Sequence, residues 1–182
     1  MTPEDIVSTK TFKSIKSRVS RYDYYKSLGA CETILSFTKS EGKTFGTDME
    51  KLVIEWFQLG KRTNTQNDAT YLDRKIEIKS SRYWGCEKSY KFQHIELDHD
   101  FDVLLTVVLR ENCIEYRLMF KSEIIPYLEK QGKQGHFLNG RDVEKIGKIV
   151  ETSDDVIDYL TQIKLKLDII ENEVKCVIQF PK

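Results

Sequence analysis

The sequence predicts an α/β fold in which a mixed β-sheet core is flanked by helices. Three observations predict it. Apolar residues recur at helical spacing in some stretches. Elsewhere they alternate, or run continuously through β-branched residues between turn signals. The two kinds of segment do not follow a strict βαβ repeat. The chain has 182 residues, of which 40% are hydrophobic and 32% charged, with 3 Pro and 9 Gly. That is enough to bury a core without disulfide or metal staples. No internal repeat and no Pro- or Gly/Ser-rich linker divides it, so one domain is expected over residues 1–182. Within it, residues 1–44 form a basic, helical segment, 45–120 the core segment, and 121–182 the C-terminal helices and a loop.

Taken in order, residues 4–38 read as mostly helical, with Tyr22, Tyr25, Leu28, Ile34, Leu35 and Phe37 available for burial. Between Lys10 and Gly29 six bases face one acid, a net +5. A clearer helix is expected from about Thr47 to Leu59, stopped by Gly60. Thr47 and Glu50 have the spacing of a capping box. Met49, Leu52, Val53 and Trp56 lie on one stripe, expected to be buried. At about 100° per residue, Glu50 falls at the edge of that stripe and Glu55 on the opposite face. Glu50 therefore has two readings, a group that looks inward and a capping acid.

A hairpin follows. Asp68–Leu72 leads through the turn Asp73-Arg74-Lys75 into Ile76–Ser81. The second strand alternates, Ile76 and Ile78 on one face, Glu77 and Lys79 on the other. Phe101–Leu109 reads as a buried strand, and Ile114–Phe120 as its neighbour across an Arg110-Glu111-Asn112 turn. Ser122 is placed as the cap of a helix running to Lys130, although Pro126 interrupts it. Gln131–Gly140, with three glycines, reads as a loop. Ser153 or Asp154 is expected to cap a last long helix to about Ile170, and Val174–Phe180 reads as an edge strand.

Composition excludes several classes. The chain has 29 Lys+Arg and 29 Asp+Glu, so it cannot hold a polyanion through bulk charge. Met1–Asp5 is polar, and the longest apolar run, Val103–Leu109, is far shorter than the roughly 20 residues a membrane span needs. No membrane association and a cytoplasmic location are expected. Cys31, Cys86, Cys113 and Cys176 are scattered and read as free thiols. With His94 and His99 they match no zinc-ligand spacing.

The stretch that carries chemistry is Asp68 followed by Glu77-Ile78-Lys79. Glu77 and Lys79 leave the same strand face roughly 6.5–7 Å apart. A short hairpin sets Asp68 on the neighbouring strand, near Glu77. Two carboxylates beside an ammonium are costly to bury alone. As hard oxygen donors they suit Mg²⁺. The bland alternative is a cross-strand ion pair on a solvated face.

The flanks are polar and basic. Lys61, Arg62, Asn64 and Gln66 precede Asp68, and Ser80, Ser81, Arg82, Tyr83 and Trp84 follow Lys79. From Lys61 to Lys91 eight bases face four acids, a net +4. These side-chain types bond phosphates and base edges. Lys133, Gln134 and His136, in the glycine-hinged loop, are further candidate DNA contacts. Tyr83 and Trp84 either stack on nucleotides or join the core. His94 and His99 are read as packing or surface residues. Residues 151–173 carry seven acids against two lysines, a net −5, and are expected to face away from DNA.

Over residues 45–110 the chain resembles the PD-(D/E)xK nucleases, and among them the small Type II restriction endonucleases. The resemblance rests on the helix with Glu50, then Asp68, Glu77-Ile78-Lys79 and the strand to Leu109. Asn67 stands where the motif has Pro. The resemblance implies a restriction-endonuclease-like core. It implies that Asp68 and Glu77 bind Mg²⁺, with the Ile78 carbonyl and Glu50 completing the site, and that Lys79 assists the attacking water. The implied activity is Mg²⁺-dependent hydrolysis of double-stranded DNA at a short specific sequence, leaving a 5′-phosphate and a 3′-hydroxyl. A homodimer is expected for symmetric sites. The competing readings are a repair nuclease or junction resolvase of the same superfamily, and a non-catalytic DNA-binding module.

Overall fold

The computed structural model describes residues 20–84, 89–132 and 135–162. Among these residues three helices come first: α1 (Arg21–Ser27), α2 (Glu32–Thr38) and α3 (Gly42–Trp56). Strands β1 (Gly60–Lys61), β2 (Ala69–Tyr71), β3 (Arg74–Arg82), β4 (Lys91–Ile95), β5 (Val103–Leu109) and β6 (Ile114–Phe120) follow. The chain then forms α4 (Lys121–Ile124), a 3₁₀ turn (Ile125–Tyr127), β7 (Glu129–Lys130), β8 (His136–Asn139), α5 (Gly140–Ile146), β9 (Lys148–Ile149) and a helix α6 over 153–162.

The architecture is the expected mixed α/β one. A six-stranded sheet has the order β1-β2-β3-β5-β6-β9, and a three-stranded sheet the order β4-β8-β7. β3 and β5 run parallel, and the other pairs are antiparallel. All seven residues of β5 are buried, as its apolar run, interrupted only by Thr106, requires of a central strand. Alternation divides them between two cores. Val103, Leu105, Val107 and Leu109 meet α1–α3 and α6, while Leu104 and Val108 meet β4, β8 and α5. Each such side chain contributes about 1.5–3 kcal/mol of burial. The larger sheet is thus covered by helices on one face and by the smaller sheet on the other.

Tyr25 of α1 is fully buried. Its hydroxyl lies 2.8 Å from the Tyr83 carbonyl and 2.7 Å from the Leu109 carbonyl, and shares its proton between them. Burial pushes its pKa far above the usual tyrosine value. This contact fastens α1 to the ends of β3 and β5.

Several expectations are corrected. α3 begins at Gly42 with Glu41 as its cap, so Thr47 is mid-helix. The Thr47 hydroxyl donates back to the Lys43 carbonyl at 3.3 Å instead of capping. The capping box with Glu50 does not exist. The buried stripe is Phe45, Met49 and Val53, continued by Phe57, while Trp56 is 59% exposed. The earlier start adds a turn whose stripe runs at i, i+4, i+8 and leaves Trp56 at the rim. There its indole N–H donates to the Glu151 carbonyl at 3.4 Å. The hairpin turn is Leu72-Asp73, both residues at positive φ, which is the twist a two-residue turn needs. The helix expected from Ser122 ends by Tyr127, because Pro126 cannot continue the hydrogen-bond ladder. Residues 136–139, expected in a loop, form β8 between β4 and β7. Thr152, not Ser153 or Asp154, caps α6: its hydroxyl accepts from the Asp155 N–H at 3.2 Å, and the Asp155 carboxylate accepts from the Thr152 N–H at 2.8 Å. The strand expected at Val174–Phe180 lies outside the described residues. No helix among the described residues is long and apolar enough to cross a membrane.

Candidate active site

The alternation on β3 is as the sequence predicts. Ile76 and Ile78 enter the helix-side core, and Glu77 and Lys79 leave the opposite face. Glu77 is only 4% exposed. Its Oε1 lies 2.5 Å from the Lys79 Nζ. Burial raises the Glu77 pKa above the ordinary glutamate value; Lys79 opposes that shift and Asp68 reinforces it.

Asp68 stands just before β2. Its N–H donates to the Ile76 carbonyl at 2.9 Å, and its Oδ2 accepts the Ile78 N–H at 2.7 Å. β2 pairs with β3 only from Arg74 to Ile76, so beyond that point no strand among the described residues pairs with this edge of β3. The N–H and C=O of a strand residue share an edge, so the Ile78 carbonyl projects to the same open side. The loop before Asp68 is organised by Asn67, which is 1% exposed. Its Oδ1 accepts the Thr63 N–H at 3.2 Å, and its Nδ2 donates to Thr63 Oγ1 at 2.9 Å and Asn64 Oδ1 at 3.1 Å. The residue that stands in place of the motif's Pro is thus a brace for the Asp68 loop.

α3 lies against β3. A Cβ placed on Gly46 would sit 3.9 Å from Ser80 Oγ. Glu50 is one turn further along the same face, half-buried at the edge of the apolar stripe, while Glu55 is exposed. Burial raises the Glu50 pKa, and Asp68 and Glu77 raise it further, whereas Arg62 and Lys79 lower it. Glu50, Asp68, Glu77 and Lys79 are therefore within electrostatic reach of one another at one edge. Among the described residues no three acidic, histidine or cysteine side chains close into a metal-ligand shell. Asp68 and Glu77 each have one oxygen engaged, by Ile78 and by Lys79. The donor set, three carboxylates and a backbone carbonyl, is all hard oxygen and fits Mg²⁺ better than a softer metal.

A cleft of about 880 Å³ adjoins this edge at Ser80 and Gly46, without Glu50, Asp68, Glu77 or Lys79 in its lining. It is lined by Ser80, Ser81, Arg82 and Trp84, by Gly42, Lys43 and Gly46 of α3, by Arg21, and by Lys91, Gln93 and His94 of β4. Among the described residues its charged lining is all basic.

Of the expected DNA contacts, Ser80, Ser81 and Trp84 line this cleft. Trp84 also packs on Tyr24, ring centroids 4.8 Å apart. Arg82 lines it too, but its Nη2 donates to the Phe37 and Ser40 carbonyls at 2.9 and 2.7 Å, and its guanidinium lies 3.7 Å from the Phe45 ring centroid. Burial pulls its pKa down to about 10. Arg82 thus ties the α2–α3 junction to β3. Tyr83 joins the second core beside Tyr90, under Arg110. Lys61, Arg62 and Gln66 are exposed on the loop side of the site. The Asn64 amide is engaged in the loop and with Asp100. His136 heads β8 and does not line the cleft, and its Nδ1 is buried with no hydrogen-bond partner among the described residues. Lys133 and Gln134 lie outside the described residues.

The sequence alone did not single out Lys43, Lys91, Gln93 or His94 as cleft residues, nor His99, whose charge acts on Glu77. Only their clustering marks them, and for Lys91, Gln93 and His94 it depends on the pairing of β4 with β8. No family model matches the chain, and the search of curated proteins returns no significant match.

Proposed function

We propose that the protein is a Mg²⁺-dependent endodeoxyribonuclease that cuts double-stranded DNA at a short specific sequence, in the manner of the Type II restriction enzymes it resembles. The observation that carries this reading is the gathering of Asp68, Glu77, Lys79 and Glu50 at the open edge of β3, next to a basic cleft. Asp68, Glu77, Glu50 and the Ile78 carbonyl are the groups that would hold the cation. When bound, Mg²⁺ supplies positive charge at the scissile phosphate and lowers the pKa of water. Asp68 is held in place by the Ile78 N–H, and Glu77 holds the Lys79 ammonium. Lys79 orients the attacking water and offsets charge that develops on the phosphate. The water oxygen attacks phosphorus in line, the bond to the 3′ oxygen breaks, and the 3′ oxygen leaves as a hydroxyl while the phosphate stays on the 5′ end. A symmetric site would be cut by a homodimer, one copy per strand.

The test is incubation with a sequenced plasmid or phage DNA, with and without Mg²⁺, followed by mapping of the ends. Discrete fragments with Mg²⁺ and none in EDTA are expected, and Lys79→Ala should bind DNA without cutting it. Cleavage in EDTA, or full activity in Lys79→Ala, overturns the reading.

A further inference from the structure

In a regular strand, residues three apart face opposite sides. On β4, Phe92 and Ile95 are three apart, yet both are fully buried in the same core. The pairing with β8 explains this. Phe92 lies opposite Leu138 and Ile95 opposite His136, so Gln93 and His94 together face the single residue Phe137. This is a β-bulge. His94 sits at φ 59, in the left-handed region that non-glycine residues seldom adopt. Bulges cluster beside active sites, where they re-aim side chains, and backbone strain concentrates there too. The product here is specific: Gln93 and His94 are both exposed, and both line the cleft that Ser80, next to Lys79 in β3, also lines. A strand without the bulge would present only one of them and would turn Phe92 or Ile95 out of the core.

We propose that the Gln93–His94 bulge is a specificity-determining contact, presenting two adjacent side chains to the base edges of a DNA duplex lying in the cleft. The identity of the substrate rests on the nuclease reading above. Charge complementarity favours a duplex as the occupant. Arg21 and Lys43 stand on the opposing helices, and Lys91 is held 4.3 Å from the Phe137 ring centroid beside the bulge. These cations suit the phosphates, and among the described residues no carboxylate lines the cleft to repel them. Between them, a glutamine amide suits adenine, which offers an acceptor and a donor side by side, and an imidazole suits a purine N7.

The test uses the full-length chain carrying Lys79→Ala, so that DNA is bound and not cut. To it are added Gln93→Ala, Gln93→Glu or His94→Gly. Glycine accepts φ 59 freely, so His94→Gly keeps the bulge and removes only the side chain. Each protein selects from a pool of randomised duplexes, and affinities are measured for the selected and for random sequence. Gln93→Ala and His94→Gly should each lose roughly 5- to 150-fold of discrimination at one or two base pairs. Affinity for random duplex should change less than about threefold. Gln93→Glu should shift the preferred base from adenine toward cytosine, which a merely structural role would not do. The inference is overturned if every variant selects the parent's sequence with unchanged discrimination, or if the parent selects none. A wild-type protein that does not cut with Mg²⁺, while Gln93 still sets the selected base, overturns the nuclease reading and upholds this one. Cutting with a specificity that no bulge variant alters does the reverse.

Discussion

The Asp68 carboxylate accepts the Ile78 backbone N–H at 2.7 Å. A loop residue is thereby fixed to the strand between Glu77 and Lys79. The bond needs an acceptor, while the proposed chemistry needs a charge, and the two demands can be separated. Asp68→Asn keeps an oxygen for Ile78 and loses the negative charge. Its stability should stay within about 1 kcal/mol of wild type by urea denaturation. Its DNA cleavage should fall by at least about 100-fold. Loss of folding together with activity would make Asp68 a structural residue only.

Glu50 and Glu77 both have raised pKa values, chiefly from burial. In the metal-free protein the folded state therefore keeps these protons to higher pH than the unfolded chain does. Between the ordinary glutamate value of 4.5 and the raised values, the folded state binds more protons. Stability should fall as pH rises through that window, and the loss is complete above it. Glu50→Gln combined with Glu77→Gln should flatten this slope in thermal melts. Mg²⁺ needs the ionised carboxylates, so it should raise the melting temperature more near pH 7.5 than near pH 5. At 100-fold over its Kd it adds about 2.7 kcal/mol. A Mg²⁺ effect indifferent to pH, or one retained in the double variant, would count against these residues as ligands.

The cleft cations have a thermodynamic signature of their own. A cation that neutralises one phosphate contributes about 0.9 to the slope of log K against log salt, and its removal should lower the slope by that amount. Lys43→Ala and Lys91→Ala should each do so in DNA titrations over a range of salt. Lys145, paired with Asp142 and not part of the cleft lining, should leave the slope unchanged when replaced by Ala. Equal slopes for all three would move the DNA elsewhere on the surface.

Tyr25 anchors α1, and with it Arg21, to the ends of β3 and β5. Tyr25→Phe keeps the packing and takes the hydroxyl donor from the Tyr83 carbonyl, while the Leu109 carbonyl keeps the Tyr83 N–H at 2.9 Å. A loss of about 1–3 kcal/mol is expected in urea denaturation. A neutral result would show that water reaches the Tyr83 carbonyl.

Several parts of this site follow from local sequence alone. Alternation of Ile76, Glu77, Ile78 and Lys79 dictates which side chains leave β3 on each face, because a strand has a period of two. The apolar run at Val103–Leu109 dictates a strand buried on both faces. The helical period puts Glu50 inward and Glu55 outward. Tertiary structure decided the rest. α3 starts at Gly42, through glycines that disfavour a helix by themselves, and Gly46 lets it lie close against Ser80. Gly46, Glu50 and the open edge of β3 meet for that reason. β8 forms because β4 and β7 supply partners for both of its edges, which no local pattern encodes. The bulge at Gln93–His94 exists because Phe92 and Ile95 are both drawn into one core. Local periodicity thus determined which faces carry the chemistry, and long-range burial decided which of those faces meet.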